Sequence, residues 1–313
     1  MTIDRREFLH AVLAGAVGTT FTYRPAEAWR SVASAQNAPP ITATKLADNL
    51  VVLSGDGGNV AIVIGPDGLF MIDGGLPERS ADMLAAVADA AGRKVATLFN
   101  THWHYDHVGS NEALGRLGTT IVAHENVKKR LGERTLFESA NRTFDPLKLE
   151  GLPTKTFTVA GKEAVGRMAL VYAHIALAHT DGDAYVFIPA LNVLHTGDLL
   201  FNGTYPVIDY STGGWIGGMA EASAALDKVG DANTKVVPGH GPMATKGDLK
   251  ASHDMLATIH GRIAEMIKQG KTVEEAVAAK PTREFDARFG RGARTPDAFV
   301  QVAYTSIVRH NRT

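Results

Sequence analysis

The chain has 313 residues, 45% hydrophobic and 21% charged, with a formal net charge of −1. That balance is ordinary for a globular protein with a sizeable core, and it provides no domain-wide basic field for a phosphate backbone, so nucleic acid is not an expected partner. There is no cysteine, which excludes disulfides, thiolate metal ligands and a thiol nucleophile, and leaves twelve histidines as the chemistry to trace.

In chain order, Arg5 and Arg6 open the sequence, an apolar run covers 8–18, and Ala26-Glu27-Ala28 offers the small residues of a cleavage site. Residues 1–28 therefore read as a signal peptide, and the arginine pair before Phe8-Leu9 resembles the twin-arginine type, so the mature chain is expected in the periplasm or exported. The apolar run is shorter than the about 20 residues a permanent span needs, so no stable membrane anchor is expected. Residues 29–45, rich in Ala, Ser and Pro, read as a linker, and 46–313 as one domain with a helical C-terminal extension from about 246.

Strands are predicted over 50–53, 60–64 and 69–72, separated by the turns Gly55-Asp56-Gly57-Gly58 and Pro66-Asp67-Gly68, close enough to be antiparallel hairpins. Met83, Leu84 and Val87 repeat at helical spacing in an Ala-rich helix over 80–91. A short apolar strand follows over 95–99. Further helices are predicted over 111–117, 125–131 and 219–229, and strands over 168–172, 184–188, 193–195 and 235–237. Late in the chain, Leu256, Ile259, Ile263, Met266 and Ile267 form one apolar helix face, and Thr272-x-x-Glu275 reads as a capping box opening a last short helix. Strands and helices alternating in two unequal rounds suit two sheets with helices outside.

The chemistry concentrates at 101–107, T-H-W-H-Y-D-H, directly after the 95–99 strand. On extended backbone residues two apart point the same way, so His102 and His104 can reach one ion, and Asp106 and His107 a second after the chain turns. Imidazole nitrogen and carboxylate oxygen are zinc donors; the same set accommodates iron or manganese.

This motif resembles that of the metallo-β-lactamase superfamily, and the resemblance continues along the chain. A-H-T-D-G-D supplies His179, H-T-G-D supplies Asp198 after the 193–195 strand, and P-G-H-G supplies His240. The resemblance implies an α/β fold, an αβ/βα sandwich of two mixed sheets with outer helices. It implies two Zn2+ ions: His102, His104 and His179 on the first, Asp106, His107 and His240 on the second, Asp198 bridging both. It further implies a hydroxide formed near neutral pH that attacks a carbonyl carbon, with Asp106 placed to orient it. Asp73, in M-I-D-G-G, stands where relatives carry an aspartate behind the metals; a plain turn residue is the competing reading.

Among the remaining histidines, His124 is expected to cap or pack, and His179 is preferred to His174 because T-D-G-D follows it. His195 is expected to end a strand. Absence of cysteine, and of a lysine soon after Asp198, points away from the cysteine-ligand lactamases and toward glyoxalase-II-like enzymes, lactonases and exported zinc hydrolases. The expected function is hydrolysis of a small ester, lactone, thioester or amide, β-lactams included, on a small-molecule substrate whose binding residues stay unassigned. An iron-dependent sulfur dioxygenase and a non-catalytic metal-binding module are the alternatives. Loops 55–59 and 201–215 are the expected pocket walls, with Tyr205, Tyr210 and Trp215 either touching substrate or packing in the core.

Overall fold

The structure, a computed structural model, describes residues 39–312. The signal-peptide reading and residues 29–38 of the linker lie outside the described residues. Contacts divide the chain into two compact units. The first runs up to Asn100 and adds His104–Val122 and Leu147–Lys155. The second comprises Thr101–Trp103, Ala123–Pro146 and everything from Thr156.

The first unit is built on β1 (Thr42–Ala47), β2 (Leu50–Ser54), β3 (Val60–Gly65) and β4 (Gly68–Ile72), paired antiparallel in sequence order. β1 occupies ground expected to be linker. Its T-A-T-K-L-A sequence lacks apolar alternation because it is a solvent-facing edge, held by its ladder to β2 rather than by burial. From β4 the chain crosses over through α1 (Ser80–Ala91) to β5 (Val95–Asn100), which pairs parallel to β4. Gly92, at φ 59°, ends α1 by donating its N–H to the Ala88 carbonyl. Met83, Leu84 and Val87 turn inward as predicted, onto Val51, Leu53, Ile62, Met71 and Leu98. Truncating such a residue to alanine costs about 2–5 kcal/mol. The sheet continues through β6 (Thr120–His124) to β9 (Lys155–Phe157), with α2 (Tyr105–Val108) and α3 (Asn111–Arg116) between β5 and β6; β7 (Thr135–Phe137) and β8 (Arg142–Phe144) pair antiparallel in a hairpin of their own.

The second unit holds a five-stranded sheet in chain order. β10 (Ala160–Val165), β11 (Met168–His174), β12 (Ala184–Ile188) and β13 (Val193–Phe201) are antiparallel, and β14 (Lys235–His240) closes parallel to β13. Its core joins β13 and β14 to α5 (Ile216–Leu226), α6 (Lys246–Lys268) and α9 (Pro296–His310), so the C-terminal helices share the core of the sheet. The Thr272/Glu275 capping box is present, opening α7 (Val273–Ala278), and Thr245/Asp248 forms another on α6. Short α4 (Glu125–Gly132) and α8 (Asp286–Phe289) complete the α-helices among the described residues. Among the described residues no helix is long and apolar enough to cross a membrane.

Two boundaries differ from expectation for reasons that matter below. Helix α5 starts at Ile216, before the predicted 219, and takes in Gly217-Gly218. Glycine disfavours a helix, but a Cβ at Gly218 would lie 1.9 Å from the Leu177 carbonyl and one at Gly217 2.2 Å from the Trp215 ring. Close packing overrides propensity. Strand β13 runs on to Phe201 where 193–195 was expected, so Asp198 lies inside a strand rather than after one, and His195 does not end it. Gly197, at φ 51°, is a bulge opposite Pro238, and its N–H donates to His195 Nδ1 at 3.2 Å. A Cβ there would strike Thr101 Oγ1 at 2.5 Å.

Candidate metal centre

Strand β5 delivers the chain to the motif and is fixed at its end. Asn100 and Asn111 exchange side-chain amide bonds at 3.0 and 2.8 Å, both buried. Beyond them Thr101–Trp103 is bent rather than a continuation of the strand. Trp103 is 2% exposed and meets Phe137 and Phe144 edge-on, so the indole between the two histidines is taken up in apolar packing. His104 is extended (φ −63°, ψ 146°) and leads into α2, which carries Asp106 and His107.

The ring orientations follow from what each Nδ1 meets. His179 Nδ1 lies 2.8 Å from the Val207 carbonyl, and His107 Nδ1 lies 2.8 Å from Asp73 Oδ2, both residues being fully buried. A carbonyl and a carboxylate only accept, so the proton sits on Nδ1 and the Nε2 lone pair faces away, ready for a cation. His102 Nδ1 lies 3.0 Å from Thr101 Oγ1. Asp73 itself adopts φ 64°, its N–H donating to the Phe99 carbonyl at 2.8 Å, so the strained turn and the His107 contact are one feature.

Three Nε2 atoms converge on Asp198. His179 and His102 lie 3.3 and 3.7 Å from its Oδ2, and His240 lies 3.4 Å from its Oδ1. Two donor groups result. His102, His104, His179 and Asp198 offer atoms within 4.8 Å of one another, and so do Asp106, His107 and His240. Ligands about 2.0–2.1 Å from a tetrahedral zinc stand about 3.4 Å apart, so the observed separations fit an ion at their centre. The seven residues picked from the sequence fall into these two groups, with Asp198 in the first group rather than in both, and His174 is in neither.

Several supporting residues were not assigned a role from the sequence. Asp183, the second aspartate of T-D-G-D, is buried and accepts the backbone N–H groups of His179 and Thr180 at 2.7 and 2.8 Å and the Thr180 hydroxyl at 2.5 Å. Burial pushes its carboxyl up to about 8, against those three donors, which lower it; the charge of Asp198 adds to the rise. Asp209 donates its N–H to the His179 carbonyl at 2.9 Å and accepts the Thr212 hydroxyl at 2.6 Å, which tightens the turn beneath Gly214. A Cβ on Gly214 would lie 2.2 Å from the same His179 carbonyl.

Of the aromatic residues considered for substrate contact, Tyr205 is core. It is 2% exposed, stacks on Phe299, and its hydroxyl donates to Asp286 at 2.8 Å. Trp215 stacks on His310, and Tyr210 lies under the Arg309 guanidinium. Phe201 stacks on His240, with ring centroids 5.1 Å apart. His124 caps α4 as expected, accepting from the Asn126 N–H at 3.3 Å.

Comparison with known proteins agrees with this geometry. Solved structures with the same fold include a metallo-beta-lactamase from Pontibacter korlensis (TM-score 0.57, 21% identity, covering 69% of this chain and 99% of that one). Another is the DIM-1 metallo-beta-lactamase (0.57, 18%, 71% and 99%). A third is the stereoselective inverting sec-alkylsulfatase Pisa1 from Pseudomonas sp. (0.66, 18%, 85% and 50%), of which the chain spans about half. No curated protein sequence matches the chain. The model of the metallo-beta-lactamase superfamily matches residues 53–241, a stretch that holds all seven donors and more than half of the chain. With its two mixed sheets, outer helices and clustered His/Asp donors, the chain belongs to the metallo-β-lactamase superfamily.

Proposed function

We propose that the chain is a dinuclear zinc hydrolase acting on a small ester, lactone, thioester or amide, β-lactams among them, and closest in type to the glyoxalase-II-like and exported zinc hydrolases. The observation that carries this reading is the division of the Asp198 carboxylate, one oxygen toward His102 and His179 and the other toward His240. One carboxylate serving two nitrogen-rich groups is the arrangement that holds two cations side by side.

His102, His104 and His179 would hold one zinc, Asp106, His107 and His240 the other, with Asp198 shared. When bound, the pair supplies a nucleophile from water near neutral pH and polarises the carbonyl oxygen. The chain's own part is positional. Asp73 and the Val207 carbonyl hold the rings of His107 and His179. Asp106, with a side chain 15% exposed, is the carboxylate placed to accept a proton from the attacking water and to orient it. The all-oxygen-and-nitrogen donor set, with no thiolate, suits zinc in a hydrolytic role.

The test joins metal analysis to a substrate panel. Protein purified from its native compartment is expected to carry about two zincs and to turn over at least one ester, lactone, thioester, amide or β-lactam. One iron per chain with oxygen uptake on a persulfide would instead establish the dioxygenase. Turnover unchanged in both Asp106→Asn and His102→Ala would show the cluster to be idle. The export reading rests on Arg5, Arg6 and Ala26-x-Ala28. It predicts a periplasmic product with a shortened N-terminus, lost when both arginines become lysine.

A further inference from the structure

The loop between β2 and β3, residues 55–59, lies on the donors of the second group with bare backbone. A Cβ on Gly58 would stand 2.2 Å from Cε1 and 2.6 Å from Nε2 of His107. One on Gly57, at φ +87°, would stand 2.9 Å from Leu76 Cγ and 3.4 Å from Asp106 Cβ. The Gly58 N–H donates to the Asp106 carbonyl at 3.2 Å. Only hydrogen fits at Gly58, whose backbone lies against the His107 ring, and the loop is tied to Asp106 through that N–H bond.

A loop of three glycines has much conformational freedom to lose, so something must hold it. On one shoulder Ser54 Oγ donates to Asn59 Oδ1 at 2.7 Å. On the other, Asp56 Oδ2 accepts from Arg79 NH1 at 3.2 Å. Arg79 is well suited to act as an anchor. Its side chain is only 10% exposed, its Nε donates to Asp82 at 2.7 Å, and its outer nitrogens reach the Pro39 carbonyl. A guanidinium with its donors so committed has one geometry, and a charge-assisted bond from it fixes what it holds.

We propose that Arg79 is a positioning residue for the second metal: through Asp56 it clamps the glycine loop over His107 and Asp106, and thereby sets ion affinity at Asp106, His107 and His240 while leaving the other group unaffected. This rests on the two-metal reading. The competing account is that Arg79 merely staples the start of α1 through Asp82, three residues on. The two accounts separate because Arg79 makes the two ion pairs with different nitrogens to different carboxylates.

The experiment is a titration of the full metal-free chain with Zn2+ against a competing chelating dye, with thermal unfolding recorded for each variant. Wild type is expected to bind two ions. Asp56→Asn and Arg79→Lys are expected to weaken one of the two by roughly tenfold, the low end for groups that support a ligand without touching the metal. Gly58→Ala is expected to lose that ion, and Asp82→Asn to bind both as wild type does. Asp56 is a partly exposed loop residue, so its variant tests the clamp even if Arg79→Lys unfolds. Wild-type affinity for both ions in Asp56→Asn, equal weakening of both ions, or an Asp82→Asn variant that behaves like Asp56→Asn overturns the proposal. The readout needs no turnover. Two tight ions without any hydrolysis would defeat the hydrolase reading alone, whereas fewer than two in wild type would defeat the two-metal reading and this proposal with it.

Discussion

The two donor groups are unlike in burial and in how they are supported. His102, His104, His179 and Asp198 are all buried, whereas in the other group only His107 is, and Asp106 and His240 keep side-chain exposures of 15% and 27%. The buried group leans on fixed backbone: the Val207 carbonyl orients His179, Asp183 pins the main chain at 179–180, and the Gly197 bulge aims Asp198. The half-open group leans on side chains and a loop, with Asp73 behind His107 and the glycines of 55–59 above it. A metal enclosed by buried ligands exchanges slowly; one with an open flank exchanges readily and is where a substrate can approach. On the two-metal reading the difference predicts slow exchange at the buried group and substrate access at the half-open one.

The largest effect is expected where the groups meet. On the two-metal reading Asp198, with one oxygen toward His179 and the other toward His240, serves both ions, so Asp198→Asn removes one of the two carboxylate charges among the donors and weakens the shared ligand. We expect turnover to fall by at least roughly 1000-fold, equivalent to about 4 kcal/mol of barrier, with less than one zinc retained per chain. A variant that kept two ions would show that the carboxylate is not shared. Next in size is partial demetallation. Dialysis against graded chelator is expected to pass through a one-zinc species, the half-open ion leaving first, with turnover lost at that step. Removal of both ions in a single step would erase the distinction between the groups.

What the sequence revealed follows the same division between local and distant. His102, His104, Asp106 and His107 were legible because they sit in one short run bracketed by strand, turn and helix signals, whereas His179, Asp198 and His240 were reached through the family resemblance of the runs that hold them. The alternation argument for His102 and His104 held even though the chain bends there, since Trp103 goes to Phe137 and Phe144. Support from a distance left no such trace. Arg79 reads as an ordinary helix-start residue, and Gly58 as a turn glycine, until Asp56 and His107 are placed beside them. The edge strand β1 and the polar β10 lack an apolar period, because one is a solvent-facing edge and Gly161 of the other lies beneath the Tyr172 ring. Strand β13 was cut short at a bulge whose glycine looks like a turn until Thr101 is seen against it.

A smaller effect tests support by a side chain. Asparagine tolerates the left-handed backbone of Asp73, so Asp73→Asn removes the negative charge beside His107 with little strain. The imidazole loses basicity, and affinity for the half-open ion is expected to fall by about tenfold, read by the same competitive titration. Equal weakening of both ions would mean that Asp73 supports the whole centre and not one side of it.

The smallest effect concerns the buried side and shows only as stability. His174 donates its Nδ1–H to the Asp183 carbonyl at 2.8 Å and stacks on His124 with centroids 3.8 Å apart, so it underlies the residue that pins His179. Burial holds the His174 imidazole below its usual range, with His124 adding to the shift and the Asp183 carbonyl opposing it. A depressed folded value means that between it and the free imidazole value of about 6.5 the unfolded chain binds more protons than the folded one. Stability from this residue is therefore complete above about pH 6.5 and drains as the pH falls through the folded value. His174→Asn keeps a side-chain donor and removes the titration. It is expected to melt below wild type at pH 7.5 and to close that gap on acidification, by at most about 2 °C. Both proteins should be compared fully zinc-loaded, so that any loss of ions is common to the pair. A gap that widens toward pH 5.5 would mean that protonated His174 stabilises the folded chain, and the neutral imidazole assigned beneath Asp183 would have to be abandoned.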